Sequence, residues 1–172
     1  MCYFLEKHKI LPIFAPMNLE IERKFLVSND SYKKEAFGHS HIQQGYICSN
    51  SERTVRIRIR DNRAYLTIKG PTPEGGLPCY EFEKEIPLEE GKELMRLCEP
   101  GIIEKVRWLV KNGHHTFEVD EFLGDNKGLV VAEVELISVN EGVEIPTFIG
   151  KEVTGDPRYF NSHLRIHPYR TW

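Results

Sequence analysis

The charged residues of this chain recur in rows with a two-residue step. Glu20 and Glu22 lead to Lys24; Arg56, Arg58 and Arg60 form a second row, and Lys69 stands two residues beyond Thr67. Glu81, Glu83 and Glu85 make an acidic row and Lys105 with Arg107 a basic one. Glu118 with Asp120, Glu133 with Glu135, and Lys151 complete the set. Carboxylates unaccompanied by Cys or His offer oxygen ligands only, which suit Mg2+ or Mn2+ better than zinc. Planar guanidinium forks match phosphate oxygens two at a time. Brought together, these residue types would hold divalent cations and a phosphoanion side by side.

A two-residue step is the period of a β-strand, whose successive side chains point to opposite faces. Val55, Ile57 and Ile59 back the Arg row, and Phe82 and Ile86 back the Glu row, so each segment has one charged and one apolar face. The pattern predicts strands over 20–25, 54–60, 65–69, 80–86, 105–110, 116–120, 129–136 and about 150–154, with a hairpin through Asn112-Gly113. Helical spacing is confined to 31–37, 88–98 and 157–164. The predicted class is mainly β (α+β): eight strands with a few helices packed outside.

A charge row on a single strand is ordinarily a wet surface. The set is harder to read that way, because acidic rows are purely acidic and basic rows purely basic. Like charges about 7 Å apart on one strand face repel, so opposite charge must lie nearby. A closed or nearly closed antiparallel barrel with a charged interior supplies it. Each ion buried dry costs several kcal/mol, against a total domain stability of about 5–15 kcal/mol. The expected interior is therefore a wet tunnel, with cations among the carboxylates and a polyanion on the Arg and Lys side.

Composition narrows the alternatives. With 172 residues, 23 Lys plus Arg against 26 Asp plus Glu and a net charge of −3, there is no positive excess to hold nucleic acid or an anionic membrane. No apolar run approaches the roughly 20 residues that span a bilayer. Cys2, Cys48, Cys79 and Cys98 form no CxxC motif and read as reduced thiols of a cytoplasmic protein. Residues 1–16 lack the features of a signal peptide. They are expected to be a loose extension before a natural start at Met17, with 17–172 a single domain. His39, His41, His114, His115, His163 and His167 have no regular metal spacing and read as surface residues. Trp108 and Phe117 alternate with the charges and read as outer core.

Glu20-Ile21-Glu22-Arg23-Lys24 is an ExExK motif, and together with Arg56-Ile57-Arg58, Lys69-Gly70, Glu81-Phe82-Glu83, Lys105-Val106-Arg107, Glu118-Val119-Asp120, Glu133-Val134-Glu135 and Gly150-Lys151, in that order, it resembles the CYTH family of triphosphate tunnel metalloenzymes, in its short single-domain bacterial branch. The resemblance spans about Met17 to Leu164. It implies an eight-stranded antiparallel tunnel and divalent-metal-dependent hydrolysis of a triphosphate, foremost inorganic tripolyphosphate, with one or two Mg2+ or Mn2+ ions. Metal carboxylates would be Glu20, Glu22, Glu133 and Glu135. Glu81, Glu83, Glu118 and Asp120 would complete an acidic wall for a second cation or the attacking water. Lys24, Arg56, Arg58, Lys69, Lys105, Arg107 and Lys151 would hold the phosphate chain, with Lys24, Glu118 and Asp120 as catalytic candidates. Leu123 stands where relatives often carry His. The partner implied is a small-molecule triphosphate, with a homodimer left open. Adenylate cyclase, thiamine triphosphatase and a non-catalytic triphosphate-binding module are the competing readings.

Overall fold

The computed structural model describes residues 21–50, 52–70, 81–138 and 140–172. Glu20, Cys2, Cys79 and the extension 1–16 lie outside the described residues. The strands are β1 (Ile21–Val27), β2 (Ala36–Ser49), β3 (Thr54–Arg60), β4 (Arg63–Lys69), β5 (Glu81–Ile86), β6 (Ile103–Asn112), β7 (His115–Phe122), β8 (Val130–Leu136) and β9 (Ile149–Glu152). They form an antiparallel sheet in the order β5-β4-β3-β2-β6-β7-β8-β1-β9. Three short helices, α1 (Tyr32–Glu35), α2 (Leu88–Arg96) and α3 (Asn161–Leu164), accompany it.

The mainly β class holds, and among the described residues the strands number nine where eight were expected. The addition is β2, which pairs β3 on one side and β6 on the other and so joins the two halves of the sheet. Its residues AFGHSHIQQGYICS carry no Glu, Asp, Lys or Arg and include two glycines, so it lacks the charge rows that mark the other strands. It also takes Ala36 and Phe37 from the expected helix over 31–37. Among the described residues β5 pairs only with β4 and β9 only with β1, so the sheet does not close into a ring. Closure is not needed to balance the charge rows, because the register itself sets opposite charges together: Lys69 opposite Glu81, Arg107 opposite Asp120, Lys24 opposite Glu133. The β6–β7 hairpin turns at Gly113-His114, one residue later than expected, since Asn112 still pairs with His115. Gly113 has φ +59°, and a positive φ at the first turn residue is the demand that glycine meets in a II′ hairpin.

Apolar residues cover the outer face. Under β1, β6, β7 and β8 a core of Phe25, Tyr32, Val110, Phe117, Val119, Ala132, Val134 and Phe148 is buried, with Trp108 packed against it, in line with the outer-core reading of Trp108 and Phe117. Helix α2 lies across the outer side of β2–β4. Gly91 is the contact point: a Cβ there would come within 2.3 Å of Ala64 Cβ. Neither side chain can swing away, so Gly91→Ala should push α2 off the sheet and cost about 1–3 kcal/mol despite alanine's better helix propensity. Urea unfolding measures it, and a variant as stable as wild type would show that α2 is not seated on Ala64.

Candidate active site

Cross-strand pairing places side chains of opposed residues on the same face. Followed from strand to strand, the register puts Glu22 and Lys24, Glu133 and Glu135, Glu118 and Asp120, and Lys105 and Arg107 on one face. Arg56, Arg58 and Arg60, Lys69, and Glu81, Glu83 and Glu85 share it. The charge rows read from the sequence thus converge on a single inner surface, opposite the apolar face that carries the core.

The centre of this surface is a packed ionic cluster. Lys105 and Asp120 are 3% and 1% exposed and are ion-paired to each other. Arg107 grips Asp120 with a two-pronged fork, Nε to Oδ1 and Nη2 to Oδ2, both 2.7 Å. It also donates to Glu118 and, at 3.2 Å, to Glu133. Lys24 reaches Glu133 Oε1 at 2.8 Å. Burial alone would raise the Asp120 pKa, but Arg107 and Lys105 outweigh it and hold the carboxyl well below the usual range. For Glu133, burial and the nearby Asp120 push upward, and Lys105, Lys24 and Arg107 prevail, so it too stays ionised. At the centre Lys105 and Asp120 are shielded from bulk solvent, while Arg107, Glu133 and Glu118 keep partial exposure. The buried pair tolerates this because each charge has an opposite charge and a hydrogen bond.

Beside the cluster opens a cavity of about 410 Å3 lined by Glu22, Glu118, Glu133 and Glu135, together with Thr116, Leu136, Ile137, His114, His115 and Glu141. Four of its carboxylates come from β1, β7 and β8 and a fifth, Glu141, from the segment between β8 and β9, an oxygen donor set of the kind a hard divalent cation takes. Among the described residues, no three His, Cys, Asp or Glu side chains are already grouped as a metal site; Glu20, one of the expected ligands, is outside that set. The donor chemistry fits Mg2+ or Mn2+, and Glu22, Glu133 and Glu135 are the expected ligands that line the cavity, with Glu22 directly opposite Glu135 across the β1–β8 pair.

Across the sheet, Arg56 donates to Thr67 Oγ1 at 3.3 Å and lies 3.5 Å from Glu83, whose Oε2 also accepts from the Thr67 hydroxyl at 2.7 Å. Lys69 pairs with Glu81 at 2.8 Å. Glu81 and Glu83 therefore serve the basic strands and do not line the carboxylate cavity. Arg60 and Glu85 are exposed, as rim charges would be. Lys151 is exposed on the edge strand β9, next to Glu152, which Arg23 holds through a two-pronged pair on the outer side. Arg58 makes no ion pair among the described residues. Burial and then its neighbours Arg56 and Arg107 depress its pKa to about 10, against the opposing pull of Glu83 and Asp120.

Two features escaped sequence reasoning. His115 lines the cavity and bonds Glu141 at 3.0 Å, although its sequence context suggested only a surface histidine; the partners are 26 residues apart and no spacing rule links them. On the same inner face, Ile103, Phe122, Leu129, Val131, Val153, Tyr159 and Leu164 form a buried apolar cluster. It seals one end of the charged surface, with the C-terminal segment around α3 laid against it. Phe160 from that segment lies 5.5 Å from Lys24 Nζ.

Comparison with known proteins finds a family match and similar proteins. The profile of the CYTH domain matches residues 18–160. An inorganic triphosphatase of Acetivibrio thermocellus is 46% identical over 157 residues, covering 91% of this chain and 99% of that protein. A solved inorganic triphosphatase shares 30% identity at a TM-score of 0.63, covering 86% of this chain and 94% of the other. A Hippeastrum adenylyl cyclase candidate with a dominant triphosphatase activity shares the fold at 16% identity and a TM-score of 0.53, covering 69% of this chain and 80% of that one.

Proposed function

This chain belongs to the CYTH domain family, and from that premise we propose that it is a divalent-metal-dependent triphosphatase that cuts inorganic tripolyphosphate into pyrophosphate and phosphate, with Mg2+ or Mn2+ as its cofactor. The observation that carries this reading is the register, which turns separate charge rows into one surface with a carboxylate cavity beside a cluster of bases. The similarity to inorganic triphosphatases supports the substrate class. Residues 17–172 are taken as the catalytic domain, in the cytoplasm, where its thiols would stay reduced.

Each group contributes differently. Arg58, with no carboxylate within ion-pair distance among the described residues, offers its charge to the phosphate chain, and Arg56, Lys69, Lys105, Arg107 and Lys24 extend that field along the surface. Fixed cations of this kind stabilise charge spreading over the phosphoryl oxygens without reorganising during the reaction. Asp120 is too buried to meet water, so its part is to hold Lys105 and Arg107 in place. Glu22 and Glu133, with Glu20 and Glu135, would hold the cation; when bound, it supplies Lewis-acid polarisation of phosphate oxygens and lowers the pKa of a coordinated water. Glu118, which lines the cavity and is anchored by Arg107, would orient the water that attacks the terminal phosphorus in line.

Phosphate release from tripolyphosphate, ATP and thiamine triphosphate, compared side by side with Mg2+ or Mn2+, tests the proposal. Tripolyphosphate should be cleaved fastest and a chelator should abolish the reaction. Cyclic AMP from ATP would point instead to a cyclase. Tight tripolyphosphate binding without turnover under any divalent ion would point to a binding module.

A further inference from the structure

Gln44 is fully buried in the middle of β2, directly opposite Arg58 in the β2–β3 register and flanked by Ile103 of β6 on its other side. It stands as a neutral polar side chain between the basic row of β3 and the apolar Ile103 of β6. Its two ends are both engaged: Oε1 accepts from Arg58 Nε at 3.4 Å, and Nε2 donates to the Tyr46 hydroxyl at 2.8 Å. The opposite amide orientation would set Nε2 against the Arg58 donor, so this pair of contacts also fixes which way the amide faces. With Nε occupied, the terminal edge of the Arg58 guanidinium, carrying Nη1 and Nη2, remains available for two-point binding of a phosphate.

An acid at position 44 would hold Arg58 more strongly but would cancel its charge, as Glu83 and Asp120 do for neighbouring bases. A neutral amide orients without neutralising. We propose that Gln44 is a positioning residue: it anchors Arg58 by Nε without adding a negative charge beside that guanidinium, and thereby aims it at the phosphate chain of the substrate. Tyr46, itself buried, fixes the amide from behind. The inference rests on the triphosphatase reading and extends it to a residue that does not touch substrate.

The experiment is a double-mutant cycle between position 44 and Arg58, read as KM and kcat for tripolyphosphate at saturating metal. In the wild-type background Gln44→Met, which preserves shape, should raise KM about tenfold and leave kcat within about threefold, the signature of lost uniform binding. In the Arg58→Lys background the same substitution should change KM less than about twofold, because the partner it positions is gone. Equal losses in both backgrounds would overturn the proposal and leave Gln44 a purely structural residue. Gln44→Glu guards against a folding defect in the Met variant. It should raise KM at least as much while leaving the urea midpoint close to wild type, and an unchanged KM in a folded Gln44→Glu protein would also refute the role. If wild type itself fails to cleave tripolyphosphate, the triphosphatase reading is what fails. The proposal about Arg58 is then judged by the same cycle on metal-free tripolyphosphate binding, where loss of coupling sinks it.

Discussion

Glu133→Gln is expected to lower the rate of tripolyphosphate hydrolysis by about 10²–10³-fold, the loss seen when one preorganised electrostatic contact to a transition state is removed. Glu133 sits where three demands meet. It accepts from Lys24 and from Arg107, lines the carboxylate cavity, and faces Lys24 across the β1–β8 pair. Glutamine keeps its size and can still accept from Lys24, but it cannot supply a full negative charge to a cation. The reduction should appear mainly in kcat and should be only partly relieved by raising the metal concentration. Glu104→Gln serves as the control, since Glu104 lies on the outer face with His41 as its partner. Hydrolysis by Glu133→Gln within about threefold of wild type would remove Glu133 from the reaction.

The largest effect on stability is expected from Asp120→Asn, at about 3–5 kcal/mol, because breaking a buried ion pair from one side strands the remaining charge. Lys105 is 3% exposed, and Asp120 is its ion-pair partner. Arg107 is better protected, since Glu118 and Glu133 remain beside it. For a domain of this size that loss should move the urea midpoint down by about 2 M. The acid limb carries a second signature. The folded-state pKa of Asp120 lies below the unfolded value near 3.9. Its stabilisation is therefore complete above about pH 4 and fades as pH falls through the depressed folded value. Asp120→Asn should remove that part of the acid dependence while lowering stability at neutral pH. A midpoint equal to wild type at pH 7 would mean that the Lys105–Asp120–Arg107 cluster contributes little to the fold.

Much of the site was legible because a β-strand has a period of two and the charges obey it. Arg56-Ile57-Arg58 and Glu133-Val134-Glu135 show their inner faces in the sequence itself, and the apolar face between them forms the core that the alternation called for. What was illegible is whatever depends on register. That Arg107 lies opposite Asp120 follows from the pairing of β6 with β7, whose turn at Gly113-His114 falls one residue beyond the Asn112-Gly113 signal. The same blindness hid how far the central charges pair with each other across strands. Strand β2 was missed for a different reason: its inner residues Ser40, Ile42, Gln44 and Tyr46 are neutral, so the charge rule had nothing to follow. The candidate metal carboxylates split for a geometric reason too, with Glu22 and Glu133 on adjoining strands and Glu81 and Glu83 on an edge strand across the sheet order.

The most direct test is a crystal structure of the protein with tripolyphosphate and Mn2+, in which the anomalous signal locates the metal independently of the phosphates. Manganese is expected in the cavity within reach of Glu22 and Glu133, and the phosphate chain is expected on the same inner surface against Arg58, Lys105 and Arg107. Tripolyphosphate or manganese bound on the outer face, or the two bound on separate faces of the sheet, would contradict a single shared site.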